Sequence, residues 1–585
     1  MSLLILYGTE TGTAQDVAES VRREAMLRRI RARVVSFYEY EIENLAKERI
    51  VVFVVATTGQ GEIPPNMLEA WKWLLRRAIP RDWLRNTKCA VFGLGDSSYA
   101  KYNQAGIKLY RRLLQLGADM ILPTGPEKNI RQILGDDQHE LGLDGALSPW
   151  KEKFWDYIRQ NPTLFPEASY EFDPNERLPS KFELDYECGA VQEDKLQDYF
   201  ELKVVKNERV TAEHHFQDTR LVDFEIPEWE KWKYNPGDVL MIRPTNLDES
   251  VAVAVEALGY SADTLDRPFT IRPRDAFTKI PPKWIVGELQ TTLRACLERY
   301  FDLQVIPKKS FFEILATLAT NPMEREKLQE LSSPKFIDDL MDYSYRARRT
   351  TAEALRDFPL TAKSIEPADL FDLFRPIRPR AFSIASAGDK QMDRIQLLVA
   401  KVEYRSRMSE PRRGLCSTFI ARLEPGARVF AKLRAGTFRF PAVDQPVVCI
   451  GPGTGVAPFR SFLRWRDAQE DAGRALMFFG CRGRERDNYF HEEWPNYGSV
   501  ALFTAFSRDQ DRKVYVQDRI KEIGRQLWEV LSTENGYCFV AGSAGDMPKA
   551  VIAALNDVAT VHGYTGDNFC DSLEKQGRLQ FETWS

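Results

Sequence analysis

The chain has 585 residues, 43% of them hydrophobic and 28% charged, enough for three or four globular domains of roughly 150 residues each and unlike a fibrous or disordered protein. Its 81 basic and 85 acidic residues leave a net charge of −4, without the basic excess of a nucleic-acid binder. Eight scattered cysteines with no C-x-x-C pair, and histidines not clustered with them, argue against a disulfide scaffold or a structural zinc site and predict reduced thiols at a cytoplasmic address.

The N-terminus opens on a strand, LLILYG (3–8), with no basic and apolar leader, so no signal peptide is expected. The run IVVFVVA (50–56) is too short for a bilayer and fits a buried parallel strand, so no membrane anchor is expected either. Apolar strands alternate with amphipathic helical stretches over 1–160, the pattern of a parallel sheet wrapped by helices. NPTLFPEASYEFDPNERLPS (161–180) lacks periodicity and reads as a linker. From 181 to 440 the texture is that of an antiparallel barrel, interrupted by a mostly helical insertion at about 246–376. Residues 441–585 return to alternating α/β.

Three strand ends in the first domain carry matching chemistry. TETGTA offers Thr9, Glu10, Thr11, Gly12, Thr13 and Ala14 at a helix start, an anion site without the Gly-Lys-Thr ending of a nucleotide P-loop. Taken alone it reads equally well as a Thr-rich cap. ATTGQG supplies Ala56, Thr57, Thr58 and Gly59. LGDSSYAKYN supplies Leu94, Gly95, Asp96, Ser97, Ser98, Tyr99, Ala100, Lys101, Tyr102 and Asn103, of which Tyr99 suits stacking on a flat ring. Asp96, or Asp136 and Asp137, would complete the rim. Loops following strands of one parallel sheet converge at its carboxyl edge, where ligands bind.

In the last domain GPGTGVAPFRSFL (451–463) joins a strand to a helix, with Thr454 inside a Gly-rich turn that lets a dinucleotide approach. Further on, Ser507, Arg508, Lys513 and Tyr515, with Val514, Val516 and Gln517 beside them, form a hydroxyl and cation cluster suited to a ribose 2′-phosphate. No acid stands in place to accept from a free 2′-hydroxyl, which favours NADPH over NADH.

Residues 1–160 resemble a flavodoxin-type FMN domain, with TETGTA as its phosphate loop. Thr58 replaces an aromatic found in the microsomal cytochrome reductase, so one flavin face is expected to be more open. The segment 125–133 is longer than the family pattern. RAFS (380–383) resembles the R-x-Y-S signature of ferredoxin-reductase-like FAD domains, and GLCSTF (414–419) its companion loop. This resemblance implies that Arg380 neutralises the FAD pyrophosphate. It also implies that Phe382, after Ala381, stacks on the flavin and that Ser383 bonds near its reactive nitrogen. Gly414, Leu415, Cys416 and Ser417 would hold the pyrophosphate, Arg348 would be a further FAD contact, and Cys416 would be structural. Cys481 is read as lining the nucleotide cleft.

The ending RLQFETWS (578–585) places Trp584 where diflavin reductases cover the FAD ring. Of the family's Ser, Cys and acid for hydride transfer, Ser383 and Glu582 match, whereas Ala541 stands at the Cys position. The resemblance therefore implies a diflavin reductase taking electrons from NADPH through FAD and FMN to a protein. TTGQGE, GLGDSSYAKYN, GDDQHELG and RPRAFSIAS are most similar to the branch serving cytosolic iron–sulfur protein assembly, implying an anamorsin-type iron–sulfur acceptor. Other acceptors (a haem protein, a sulfite reductase haemoprotein, methionine synthase), a microsomal-type reductase without its anchor, and a non-catalytic flavin-binding scaffold stay open at this point. Residues 1–160 carry 23 basic against 20 acidic residues. Arg22, Arg23, Arg28, Arg29, Arg31 and Arg33 crowd one helix and its exit, a face that would suit an acidic partner or simply be solvated.

Overall fold

The computed structural model describes residues 2–59, 61–98, 101–125, 129–187, 199–226, 233–276, 278, 291–388 and 394–584. The chain divides into two units. One comprises Met1–Asp194, Asp248–Pro376 and Ser406–Met408; the other comprises Lys195–Leu247, Ile377–Arg405 and Ser409–Ser585.

The first unit begins with an alternating α/β segment: β1 (Leu3–Gly8), α1 (Thr13–Leu27), β2 (Ala32–Ser36), β3 (Ile50–Ala56), β4 (Lys88–Gly95), α2 (Gln104–Gln115), β5 (Asp119–Met120), β6 (Leu134–Asp136) and α3 (Asp144–Gln160). The sheet order is β2-β1-β3-β4-β5, all parallel, with β6 on the far end of β4. The apolar runs of β1 and β3 are buried almost throughout, as parallel strands covered on both faces must be. Trp150 of α3 shows how the helical cover is fixed. It is 1% exposed, donates its ring N–H to the Val91 carbonyl at 2.9 Å and stacks on Phe154.

The fifth strand is split. Between Met120 and Leu134 the chain leaves the sheet and returns through a tight turn, Ile130–Ile133. Gln132 closes this excursion by accepting from the Thr124 N–H at 3.1 Å and donating to the Thr124 carbonyl at 3.0 Å, while Ile133 is fully buried. Residues 129–133 of the long segment are thus tied into the domain, and 126–128 lie outside the described residues.

Two sequence expectations change here. Residues 161–180 are not a bare linker. Leu164 and Phe165 are buried in the core of the flavodoxin-like segment, and the Arg28 guanidinium lies over the rings of both Trp155 and Phe172 at 4.5 Å. The arginines of α1 and its exit are not a vacant docking face either. Arg22 is buried and reaches Glu19 and Asp275, Arg28 pairs with Glu24, Arg29 with Glu176, and Arg33 with Glu48. Four of the six cations thus meet acids of α1 itself or of later segments, while Arg31 is exposed.

Segment Asp248–Pro376 of the same unit is mainly helical, including Asp248–Leu258, Lys309–Leu318 and Pro322–Ser332. Its own core contains Phe301, Phe312, Leu315, Leu355 and Phe371.

In the second unit six antiparallel strands run in the order 380–383, 239–243, 428–434, 200–209, 219–225, 394–400. A bridge from Ile384 to Leu397 joins the two end strands, as a closing barrel requires. The five-stranded sheet of this unit is parallel, in the order 500–506, 475–481, 447–450, 537–543, 579–584.

We expect Phe165→Ala to destabilise the first unit by about 3 kcal/mol and to open 161–180 to protease. Scanning calorimetry with limited proteolysis measures both. An unchanged transition and cleavage pattern would show that this segment is independent of the core.

Candidate functional site

At the carboxyl edge of the first sheet the turn after β1 is held by its own side chains. Thr9 is buried; its N–H donates to Asn66 Oδ1 at 2.8 Å, and its hydroxyl accepts from the Gly12 N–H at 2.9 Å. Gly12 has φ +105 and no side chain caps α1, so the first-turn N–H groups, beside Thr13 and above the buried Ala14, form a donor set suited to a phosphate. Glu10 and Thr11 are exposed.

The loop after β3 is pinned to the neighbouring strand and helix. Past Ala56, the Thr57 N–H donates to the Leu94 carbonyl at 2.9 Å and the Thr57 hydroxyl accepts from the Ala105 N–H at 3.2 Å. The Thr58 N–H donates to the Glu62 carbonyl at 3.2 Å, and Gly59 turns the chain with φ +49.

The loop after β4 is clasped to the end of β6. Beyond Leu94 and Gly95, Asp96 accepts from the Ser98 N–H at 2.8 Å and from the Gln138 amide at 3.1 Å. Asp136 accepts from the N–H groups of Ser97 and Gln138 at 2.9 and 3.0 Å. Asn103 is buried and donates to the Gly135 carbonyl at 2.6 Å. Lys101 is exposed and Tyr102 half-buried. Burial pulls the Asp136 carboxyl upward, but the two backbone N–H groups outweigh it and hold it below the usual carboxylate range. Burial pushes Asp137 the other way. Asp136 is therefore a clasp between loops. Tyr99 and Ala100 lie outside the described residues. Three loops on one sheet edge, rich in small and hydroxyl residues, with uncapped N–H groups on one side, fit FMN.

In the second unit the barrel register sets Arg380 opposite Ile242, Ala381 opposite Met241, Phe382 opposite Leu240, and Ser383 opposite Val239. The Cys416 thiol donates to the Ile242 carbonyl at 3.9 Å, and the Arg380 charge acts on it, so the exposed Arg380 and the turn Gly414–Leu415–Cys416–Ser417 lie together. The Ser417 hydroxyl accepts from the Val402 N–H at 3.0 Å. A Cβ at Gly414 would press on Ser417 Oγ at 2.7 Å and Val402 Cβ at 2.9 Å. Burial raises the Cys416 thiol to about 12, which makes it packing and not a nucleophile. Arg348 belongs to the first unit, exposed and with φ +55. The basic, glycine-lined corner at Arg380 and Gly414 fits the FAD pyrophosphate.

The terminal strand Leu579–Trp584 comes to the same barrel strand. The Ser383 hydroxyl donates to one Glu582 carboxylate oxygen at 2.9 Å, and the Thr437 hydroxyl donates to the other at 2.8 Å. Two residues earlier, the Gln580 amide accepts from the Arg439 N–H at 2.7 Å and donates to the Arg439 carbonyl at 3.1 Å. Strand alternation puts Gln580, Glu582 and Trp584 on one face. Glu582 lies beside Ala541 in register, and Trp584 is 37% exposed.

The turn 451–455 follows the central strand of the parallel sheet, where the strand order reverses. Gly453 has φ +59, Thr454 is half-buried, and any side chain at Gly455 would collide with the Ala541 carbonyl. At the next strand ends the Ser507 hydroxyl donates to the Cys481 carbonyl at 3.3 Å, and the Arg508 N–H donates to the Arg482 carbonyl at 2.8 Å. Arg508, Lys513 and Tyr515 are exposed, and among the described residues neither cation has an ion-pair partner. Val514 and Gln517 are half-buried and Val516 is buried at the start of helix Val516–Glu522. Asp509 is turned away to accept from the Arg484 N–H at 2.8 Å. The donor set fits the phosphate-bearing nucleotide.

Thr437, Gln580 and Asn66 were not among the sequence candidates. Thr437 and Glu582 are 145 positions apart, and no local motif links them.

Family models match in the same order: flavodoxin over residues 5–150, an FAD binding domain over 192–419 and an oxidoreductase NAD-binding domain over 449–552. The NADPH-dependent diflavin oxidoreductase 1 of Danio rerio is 41% identical over 610 residues, covering 100% of this chain and 99% of its own length. The proteins of that name from Schizosaccharomyces pombe and Arabidopsis thaliana are 35% and 34% identical, again over 100% of this chain and 99% of their own. With relatives matched end to end and the three domain models in register with the sites above, this chain belongs to the NADPH-dependent diflavin oxidoreductases, flavoenzymes that bind FMN and FAD.

Proposed function

We propose that electrons run from NADPH to FAD to FMN and then to an anamorsin-type iron–sulfur protein of cytosolic iron–sulfur cluster assembly. The observation that carries the internal path is the Ser383–Glu582 hydrogen bond at the end of the barrel strand. It brings a hydroxyl and a carboxylate to the place where the terminal strand, the barrel and the nucleotide sheet meet. The iron–sulfur acceptor is supported by the similarity of TTGQGE, GLGDSSYAKYN, GDDQHELG and RPRAFSIAS to that branch. A cytoplasmic address is consistent with the buried free cysteines. No helix among the described residues is long and apolar enough to cross a membrane.

When bound, the nicotinamide and the two flavins supply the hydride and single-electron chemistry. The chain supplies position. Arg508, Lys513 and Ser507 bind the 2′-phosphate, and Thr454 and the glycines around it seat the dinucleotide. Arg380 and the Gly414–Ser417 turn hold the FAD pyrophosphate, with Phe382 against the ring. Glu582 orients the Ser383 hydroxyl and can hold a proton there. Trp584, on the same face, shields that point from water. Residues 9–14 bind the FMN phosphate, and the loops 56–59 and 94–103 frame its ring.

Replacing Arg508 with Ala should raise KM for NADPH about ten- to a hundredfold, the worth of a charge-assisted contact, and leave KM for NADH unchanged. Steady-state kinetics with both nucleotides decides this, and equal losses would place Arg508 away from the 2′-phosphate. Glu582→Gln should slow reduction of FAD by NADPH at least about tenfold with NADPH affinity retained, measured by anaerobic stopped flow; an undiminished rate would remove Glu582 from the site. For the acceptor, anaerobic mixing with NADPH should reduce an anamorsin-type iron–sulfur protein faster than a haem protein or a sulfite reductase haemoprotein. The reverse order would reject the iron–sulfur assignment.

A further inference from the structure

Lys308 stands at the N-terminal edge of helix Lys309–Leu318 in the helical insertion. The helix is fixed by Phe311 and Phe312, both in the insertion core. From there Lys308 reaches the flavodoxin-like segment of the same unit. Its ammonium donates to the Thr13 hydroxyl at 3.1 Å and lies 3.0 Å from the Asp16 carboxylate. Arg375, at the other end of the insertion, pairs with the same carboxylate. Lys308 also acts on Asp137, whose carboxyl burial otherwise raises. One insertion side chain thus addresses the phosphate loop, the first turn of α1 and the loop beyond β6.

Thr13 and Asp16 have opposite meanings for an anion at the start of α1. A hydroxyl carries one hydrogen and accepts through its lone pairs. With Lys308 donating into that oxygen, the Thr13 hydrogen is left to donate elsewhere. Asp16 is a carboxylate in the first helical turn, where it competes with a phosphate for the helix N-terminus and repels it. Lys308 and Arg375 together turn that local charge from −1 to +1. Neither cation is contributed by the flavodoxin-like segment, which starts the helix with an acid and no cation of its own.

We propose that Lys308 is a positioning residue for FMN, supplied by the insertion and acting through Thr13 and Asp16. FMN retention and the seating of the flavodoxin-like segment on the insertion are then one coupled equilibrium. The inference rests on residues 9–14 holding the FMN phosphate. Coupling is reciprocal: bound FMN strengthens the seat, and the seat tightens FMN.

The test uses the full chain loaded with both flavins. FMN release on dilution is followed by flavin fluorescence, with FAD content as the internal control. Lys308→Met should weaken FMN about tenfold, the loss of one charge-assisted contact, while FAD content stays at the wild-type level. Lys308→Arg should keep most of the affinity. Adding Asp16→Asn to Lys308→Met should recover most of the loss, because the repelling charge goes with its partner; a merely structural role for Lys308 would give a further loss instead. FMN should also protect residues 161–180 from protease in the wild type and less so in Lys308→Met. Wild-type FMN affinity in Lys308→Met, or no recovery with Asp16→Asn, would overturn the proposal. If Thr13→Val and Gly12→Ala leave FMN affinity untouched, the assignment of the phosphate loop itself fails, a result separate from any effect of Lys308.

Discussion

Parallel strand pairing is the constraint on which the rest of this molecule depends. In β1, β3 and β4, and again in 447–450, 475–481 and 537–543, every strand runs the same way, so every following loop is delivered to one edge. Each loop alone is a short run of glycine, threonine and serine with little binding energy to offer. Brought to a shared edge, such loops make a phosphate and ring cradle in one sheet and a dinucleotide cradle in the other. The terminal strand obeys the same rule. Because 579–584 pairs in parallel with 537–543, its end carries Glu582 and Trp584 to the same side as the Gly-rich turn at 451–455.

Much of this was legible in the sequence, because strand runs and their terminal loops are local signals. LLILYG, IVVFVVA and KCAVFGLG announce buried parallel strands by their unbroken apolar character. The partners of those loops are not local. Thr437 gives no sign in AGTFRFP that it will hold Glu582, and Asn66 gives none that it will hold Thr9. Such contacts depend on register between elements far apart in the chain, which the hydrophobic period does not encode. The arginines of α1 are a different case. Their clustering is visible, but the acids that meet them, Asp275 and Glu176 among them, lie in later segments. The stretch 161–180 has a linker's composition, and only its apolar pair Leu164 and Phe165 hinted at burial.

The electrostatics divide the same way. Carboxylates near the flavin loops serve two structural ends: Asp96 and Asp136 clasp loops through backbone N–H groups, while Asp16 anchors cations from the insertion. By contrast, Arg508 and Lys513 have no ion-pair partner among the described residues, the state expected of cations reserved for a ligand phosphate. Ala541, packed against Gly455 and beside Glu582, adds no polar group to the Ser383 hydroxyl and Glu582 carboxylate, and Thr437 holds the second carboxylate oxygen. The described thiols are spectators. The seven described cysteines are buried and free, and burial raises those at Cys89, Cys296, Cys416 and Cys481.

The proposed path makes FMN the obligatory outlet for electrons that enter from NADPH through FAD. The decisive experiment removes FMN alone from the purified chain and follows two reactions anaerobically with NADPH: bleaching of bound FAD and reduction of the protein acceptor. FAD should be reduced at an unchanged rate while acceptor reduction stops, and re-addition of FMN should restore it. Acceptor reduction that continues at full rate without FMN would contradict the proposed path.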